Sequence, residues 1–300
     1  MAKWKPIKDP TLFAWYNADS FVAGTLAQQC TWANKEGTSA RNMVGGGSES
    51  TTNPQLCGSS DFLNGLAGVL FDQDSGELDV LQTSSTVVDL DNQPYTVCYI
   101  VKDSNQADPD YFIYFFESAN NASFFQAEIS FLGTVSLFGQ SGGFQFSPPT
   151  SYNMALSNDQ KSAVAAGAML TTVADGTNYT PFFNGVELNI TDFSGNPISN
   201  LAQDQTTNAA SINVGAFSTL GMDAILYEIV ICVGTGANDN VKRIEGYLAH
   251  RYARTLPATH KYESFAPASG LHGIHNQDLL GELALDVSGP LVSDTLAGAV

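Results

Sequence analysis

The sequence predicts an all-β sandwich closed by a single C-terminal helix, and three observations lead there. Hydrophobic residues make up 43% of the 300 positions and charged ones only 14%. Such a chain can bury a full core while Ser, Thr, Asn, Gln and Gly cover its surface, a composition suited to sheet. Short apolar runs separated by turn residues recur along most of its length. The one long strand-like run, residues 224–233, is followed by a glycine-containing turn and an amphipathic stretch.

That 224–253 region organises the rest. Strict alternation places Ile225, Tyr227, Ile229, Ile231 and Val233 on one face, with Leu226, Glu228, Val230 and Cys232 on the other. Both faces are mostly apolar, so both are expected to be buried. Gly234 and Gly236 end the strand, and Asn238 or Asp239 is placed to cap the helix. Val241, Ile244, Tyr247 and Leu248 then form the apolar stripe. Lys242, Arg243, Glu245 and His250 fall off it, and Glu228 is expected to pair with a base such as Arg243 or Arg251, since an unpaired buried carboxylate is costly.

Taken in order, residues 1–10 form a basic, proline-containing arm with little to pack, and 11–17 alternate as a first strand. Residues 45–60 read as a low-complexity loop. Strands follow near 95–102, 111–117, 123–132, 134–139, 143–147 and 211–217. Nine of the 18 Phe lie between Phe112 and Phe146, making this series a large contributor to the aromatic core. Residues 161–190 read as strand pairs turned at Asp175-Gly176 and Asn184-Gly185, the latter a type I′ signal. The expected organisation is an arm (1–10), one sandwich domain (11–265) and a second arm (266–300) whose Leu and Val cannot build a core alone.

Three patches, 11–42, 63–80 and 165–265, carry a family resemblance. The run Ile244-Glu245-Gly246-Tyr247-Leu248-Ala249-His250-Arg251-Tyr252, followed by Leu256-Pro257 and by His260 to Pro267, is similar to the C-terminal signature of concanavalin A-like (laminin G-like) jelly-roll domains found in bacterial and phage proteins. The opening FAWYNADSF with CTWANKEGTSARN, and LNGLAGVLFDQDSGELDVLQ after it, resemble other parts of the same family. The resemblance implies a jelly-roll β-sandwich with one short helix and extended terminal arms.

The chemistry points away from catalysis. A glucanase on this fold needs Glu-x-Asp-x-(x)-Glu along a strand, because retaining hydrolysis uses paired carboxyls. Here Glu77-Leu78-Asp79-Val80-Leu81-Gln82 sets an amide at the third position, and an amide cannot protonate a leaving group. No enzyme is expected; a degenerate glucanase is the remaining catalytic alternative. Asp72, Asp74, Glu77 and Asp79 alternate oxygen ligands as a calcium loop would, without EF-hand spacing. Trp32, Asp72 and Asp74 are the candidates for contact with a cell-surface glycan. His272 and His275 lack the further close-set ligands of a zinc site.

Net charge is −18, and the few cations are clustered. Lys3, Lys5 and Lys8 lie in the first arm, with Lys242, Arg243, Arg251 and Arg254 around the helix, and both groups are candidates to dock an acidic protein neighbour. Leu279, Leu280 and Leu283 of the tail are candidate contacts with neighbouring subunits. So acidic a body disfavours nucleic acid and anionic membrane. Cys30, Cys57, Cys98 and Cys232 are widely spaced and read as buried thiols. No secretory signal or membrane span is legible. The expected role is a non-enzymatic virion structural protein, a phage capsid decoration or tail component made in the host cytoplasm. It would bind virion proteins or copies of itself through the arms; a carbohydrate-binding module is the alternative.

Overall fold

The computed structural model describes residues 4–24, 30–45, 53–72, 79–83, 93–103, 110–117, 122–129, 134–138, 151–155, 164, 166–191, 197–198, 201–202, 211–215 and 222–267. Among these residues two antiparallel sheets pack with the α-helix Val241–Arg251, so the all-β sandwich with a C-terminal helix is the observed class.

The first sheet is centred on β20 (Ala224–Val233). One of its edges carries β8 (Tyr95–Asp103), followed by β13 (Ala168–Ala174), β14 (Asn178–Phe183) and β15 (Val186–Glu187). Its other edge is shared by β1 (Leu12–Asn17) and β6 (Val69–Phe71), the latter extended by β5 (Gln55–Leu56). β18 (Leu201–Ala202) joins β14. The second sheet has the order β17 (Pro197–Ile198), β16 (Ile190–Thr191), β12 (Ser151–Ala155), β11 (Thr134–Phe138), β10 (Ala122–Ile129), β9 (Asp110–Glu117), β19 (Ser211–Gly215), β7 (Val80–Thr83), β4 (Met43–Gly45), β3 (Thr31–Trp32) and β2 (Phe21–Val22). The expected strands near 95, 111, 123, 134 and 211 are all present, and the one at 143–147 lies outside the described residues. Strand β12, its composition mixed, was not legible in the sequence.

Two apolar layers result. Between the sheets lie Tyr16, Trp32, Phe71, Leu81, Val97, Tyr99, Leu170, Val214, Ile229 and Ile231, among others. On the opposite face of the first sheet a second layer gathers Trp15, Cys98, Ile100, Met169 and Val230 under α1 (Val241–Arg251), with Ile244, Leu248 and Tyr252 facing down.

Strand β20 departs from strict alternation. Leu226 pairs with Val101 and Glu228 with Ile100, so Tyr227 is an extra residue, a β-bulge. Tyr227 consequently joins Ile225 in the helix-side layer while Ile229 and Ile231 turn to the inter-sheet core. The face predicted for 225–233 is thus split at the bulge, which also aims Glu228 at the helix.

Asn184 (φ 48°) and Gly185 (φ 80°) form the hairpin turn expected between β14 and β15, both residues left-handed. Helix α1 starts at Asn240 without a side-chain cap. Asn238, expected as a cap, instead accepts from Thr96 Oγ1 (2.8 Å) and donates to Ala174 O (3.0 Å). Strand β1 would present an open edge, but the backbone N–H of Trp15 donates to Asn34 Oδ1 (2.9 Å), Lys35 N–H donates to Trp15 O (2.7 Å) and Arg41 donates to Phe13 O (2.6 Å). Covering an edge in this way blocks pairing with another chain.

Residues 4–10 are not a free arm. Trp4 is 4% exposed and meets Tyr247 edge-on at 6.0 Å between ring centroids, and its backbone N–H donates to Pro267 O at 2.9 Å. Residues 4 and 267 are therefore tied together on the helix side. Part of the 45–60 stretch is also built in, since Gln55–Leu56 form β5 and Cys57 is buried.

Candidate functional site

Two polar constellations stand out, one on each side of the sandwich. The first lies under α1. The bulge delivers Glu228, fully buried, to a set of donors. Trp15 Nε1–H donates to its Oε1 at 2.6 Å, and Tyr252 O–H and Arg251 Nε–H donate to Oε2, each at 2.8 Å. Burial pushes the Glu228 carboxyl above its ordinary range, opposed by Arg251, Trp15 and Tyr252. Burial works against the Arg251 charge in turn, but Glu228, Tyr247 and Tyr252 together outweigh it and hold the guanidinium above its usual value.

Nearly two helical turns before Arg251, Glu245 is also fully buried, meeting His260 Nε2 at 3.1 Å and Lys242 Nζ at 3.0 Å. The sequence placed Glu245 off the apolar stripe. The segment after the helix folds back over that flank, with the Tyr262 ring against Gly246 and the Tyr262 carbonyl 2.7 Å from His250 Nε2. Both carboxylates are fully buried and engaged by internal partners, Glu245 through Oε2 only.

The second constellation lies on the other sheet. Leu81, Ile212 and Val214 enter the inter-sheet core, so alternation turns Gln82, Ser211 and Asn213 away from it. Gln82 Nε2–H donates to Ser211 Oγ (3.3 Å), as does Asn213 Nδ2–H (3.0 Å). Asn213 and Ser211 are buried, whereas Gln82 is half-buried and thus the accessible amide. Backbone register continues through this position across nine strands, as Val22, Thr31, Val44, Gln82, Asn213, Tyr114, Gln126, Phe138 and Ser151. The adjacent register row, Gly45, Leu81, Val214, Ile113, Ala127, Leu137 and Tyr152, has no amide or charged residue. Period-two alternation in β7 and β19 carried this signal in the sequence, but which strands neighbour one another was not legible there.

The sequence-derived candidates distribute differently. Trp32 is fully buried between Tyr16 and Phe21, its Nε1–H donating to Asn17 O at 2.7 Å, so its ring faces serve the core rather than a sugar. Asp72 and Asp79 stand at the two ends of the acidic loop, and Asp79 Oδ2 accepts the Asp72 N–H at 3.0 Å. Asp74 and Glu77 lie outside the described residues, as do Lys3, Leu279, Leu280 and Leu283. Among the described residues no group of three or more His, Cys, Asp or Glu is placed to hold a metal.

Of the basic residues, Lys5 and Lys8 are exposed. Lys242 also lies over the Phe182 ring, and Arg243 over Trp4 at 6.0 Å. Arg251 reaches Asp19 at 3.4 Å besides Glu228. Arg254 donates to the carbonyls of Ala166, Gly167 and Tyr252. These four cations pin the helix layer together.

No protein-family model and no curated protein sequence matches the chain. Solved β-sandwich structures are similar in architecture. Trypanosoma rangeli sialidase in complex with the inhibitor DANA is 7% identical over 75% of this chain and 31% of its own, with a TM-score of 0.46. The binding domain of botulinum neurotoxin DC, in complex with rat synaptotagmin II, is 12% identical over 71% of this chain and 48% of its own (TM-score 0.45). Domain 4 of an extracellular arabinanase from Geobacillus stearothermophilus, in complex with arabinotriose, is 17% identical over 74% and 92% (TM-score 0.44). The chain spans about a third of the length of the sialidase. The likeness is one of architecture and stops there.

Proposed function

We propose that the protein is a non-catalytic carbohydrate-binding β-sandwich whose ligand face is the outward side of the second sheet around Gln82. The observation that carries this reading is the hydrogen-bonded amide and hydroxyl set Gln82, Ser211 and Asn213, turned away from the core. An amide offers two donors and an acceptor, the mixed pattern that vicinal sugar hydroxyls require. Gln82 spends a donor on Ser211, which fixes the amide plane before a ligand arrives; such preorganisation limits the entropy lost on binding. The absence of catalysis is supported by Gln82 occupying the position a glucanase gives to its acid, and by the commitment of Glu228 and Glu245 to internal partners.

A glycan array with the full chain, followed by calorimetry on the best ligand, tests the reading. Gln82→Ala is expected to weaken binding by about tenfold, the loss of roughly one good hydrogen bond. An array without hits, or unchanged affinity in the variant, would sink it. A virion structural role is the second reading. It is favoured by the Trp4–Pro267 tie, which brings both ends of the body to the helix side and leaves the second sheet facing the other way. Mass spectrometry of purified particles tests it, and failure to find the chain there removes it.

A further inference from the structure

We infer that the ligand face selects uncharged glycans and rejects anionic ones, a conclusion that rests on the carbohydrate reading and narrows it to a chemical class. The eleven strands of the second sheet contain no Lys, Arg or His, although they include Asp110, Glu117 and Glu128. Sugar carboxylates, sulfates and phosphates are recognised through charge-assisted hydrogen bonds, above all from the planar fork of Arg. Gln82, the accessible member of the set, supplies only neutral hydrogen-bonding groups, which suit hydroxyls and acetamido groups.

Six of the described cations are engaged elsewhere. Lys242, Arg243, Arg251 and Arg254 belong to the helix layer, on the far side of the first sheet. Lys102 sits on β8 and pairs with Asp61 at 2.8 Å. Arg41, in the connection between β3 and β4, is turned to Phe13 O and to Glu36 at 3.3 Å. Stacked layers are about 10 Å apart, so a charge under α1 is roughly 20 Å from the outward side of the second sheet. That is about two Debye lengths at 0.1 M salt. Against a net charge of −18, an anionic sugar at this face meets repulsion with no compensating cation on the strands of the second sheet.

The test compares matched neutral and uronic-acid or sialylated oligosaccharides by calorimetry with the full chain, at about 0.05 M and 0.5 M NaCl. The neutral member is expected to bind at least about tenfold more tightly at low salt, with the gap narrowing at high salt. Gln82→Lys, which places a cation on the row, is expected to reverse or abolish the preference. Equal or tighter binding of the anionic member at low salt overturns the inference, as does a gap indifferent to salt, while the carbohydrate reading survives. Binding of neither member removes the carbohydrate reading itself and the inference with it.

Discussion

Replacing Gly246 by Ala sets two physical effects against each other. Helix propensity alone favours Ala over Gly by about 1 kcal/mol in a helix interior. In this helix, however, a Cβ at position 246 would lie 2.5 Å from Tyr262 Cβ and 2.8 Å from its Cγ. The obstructing atoms are the root of a buried ring, not the end of a flexible chain. His250 and His260 fix that segment from either side, so the ring cannot simply swing away. Overpacking of this kind costs about 1–3 kcal/mol, so the net expectation is a loss of up to about 2 kcal/mol. At about 2–4 °C per kcal/mol for a domain of this size, Tm should fall by several degrees in a thermal melt followed by circular dichroism. The decisive comparison is a double-mutant cycle. In a Tyr262→Gly background, which removes both the ring and the Cβ that obstruct position 246, the same Gly246→Ala change should become neutral or stabilising. A stabilised single mutant, or the same effect in both backgrounds, would refute the close packing of helix and return segment.

Three other outcomes follow from the same layer and from the acidic loop. Trp4→Ala should lose about 3 kcal/mol, as for other buried Trp truncations, and should raise protease sensitivity near Pro267; a loss below about 0.5 kcal/mol would restore residues 4–10 to a dispensable arm. Glu228 has a folded-state pKa raised by burial, so its contribution to stability is fully present below the ordinary Glu value and is lost as pH rises through the folded value. Glu228→Gln should flatten that part of the stability–pH curve measured by urea unfolding, and an unchanged slope would show that another group causes it. If the 72–79 loop holds calcium, the ion at ten times its Kd should add about 1.4 kcal/mol, visible as a Tm raised by Ca²⁺ and lowered by EGTA; identical melts would remove calcium from consideration.

Much of the fold was legible because alternation and turn chemistry are local. The Asn184-Gly185 hairpin, the β8 and β20 strands and the helix after Gly236 each follow from residues adjacent in sequence. The reversal of faces within β20 was not, because a bulge depends on the pairing of Leu226 and Glu228 with successive residues of β8. Tertiary contact likewise decided the fate of polar residues. Glu245 looked solvated on a helical wheel and is buried because residues 255–262 return over it. Trp4 looked like part of a loose arm and is packed because Tyr247 and Arg243 supply a floor for its ring.

The sequence by itself determined the all-β class, the C-terminal helix, the missing third carboxylate at Gln82 and the segregation of positive charge, since each is a matter of residue type and local order. Only the tertiary structure decided that Trp32 belongs to the core, that Lys242, Arg251 and Arg254 are spent on Glu245, Glu228 and backbone carbonyls, and that Gln82, Ser211 and Asn213 meet on one outward face. Strands distant in sequence bring those groups together, and their register is set by long-range hydrogen bonding rather than by any residue's neighbours in the chain.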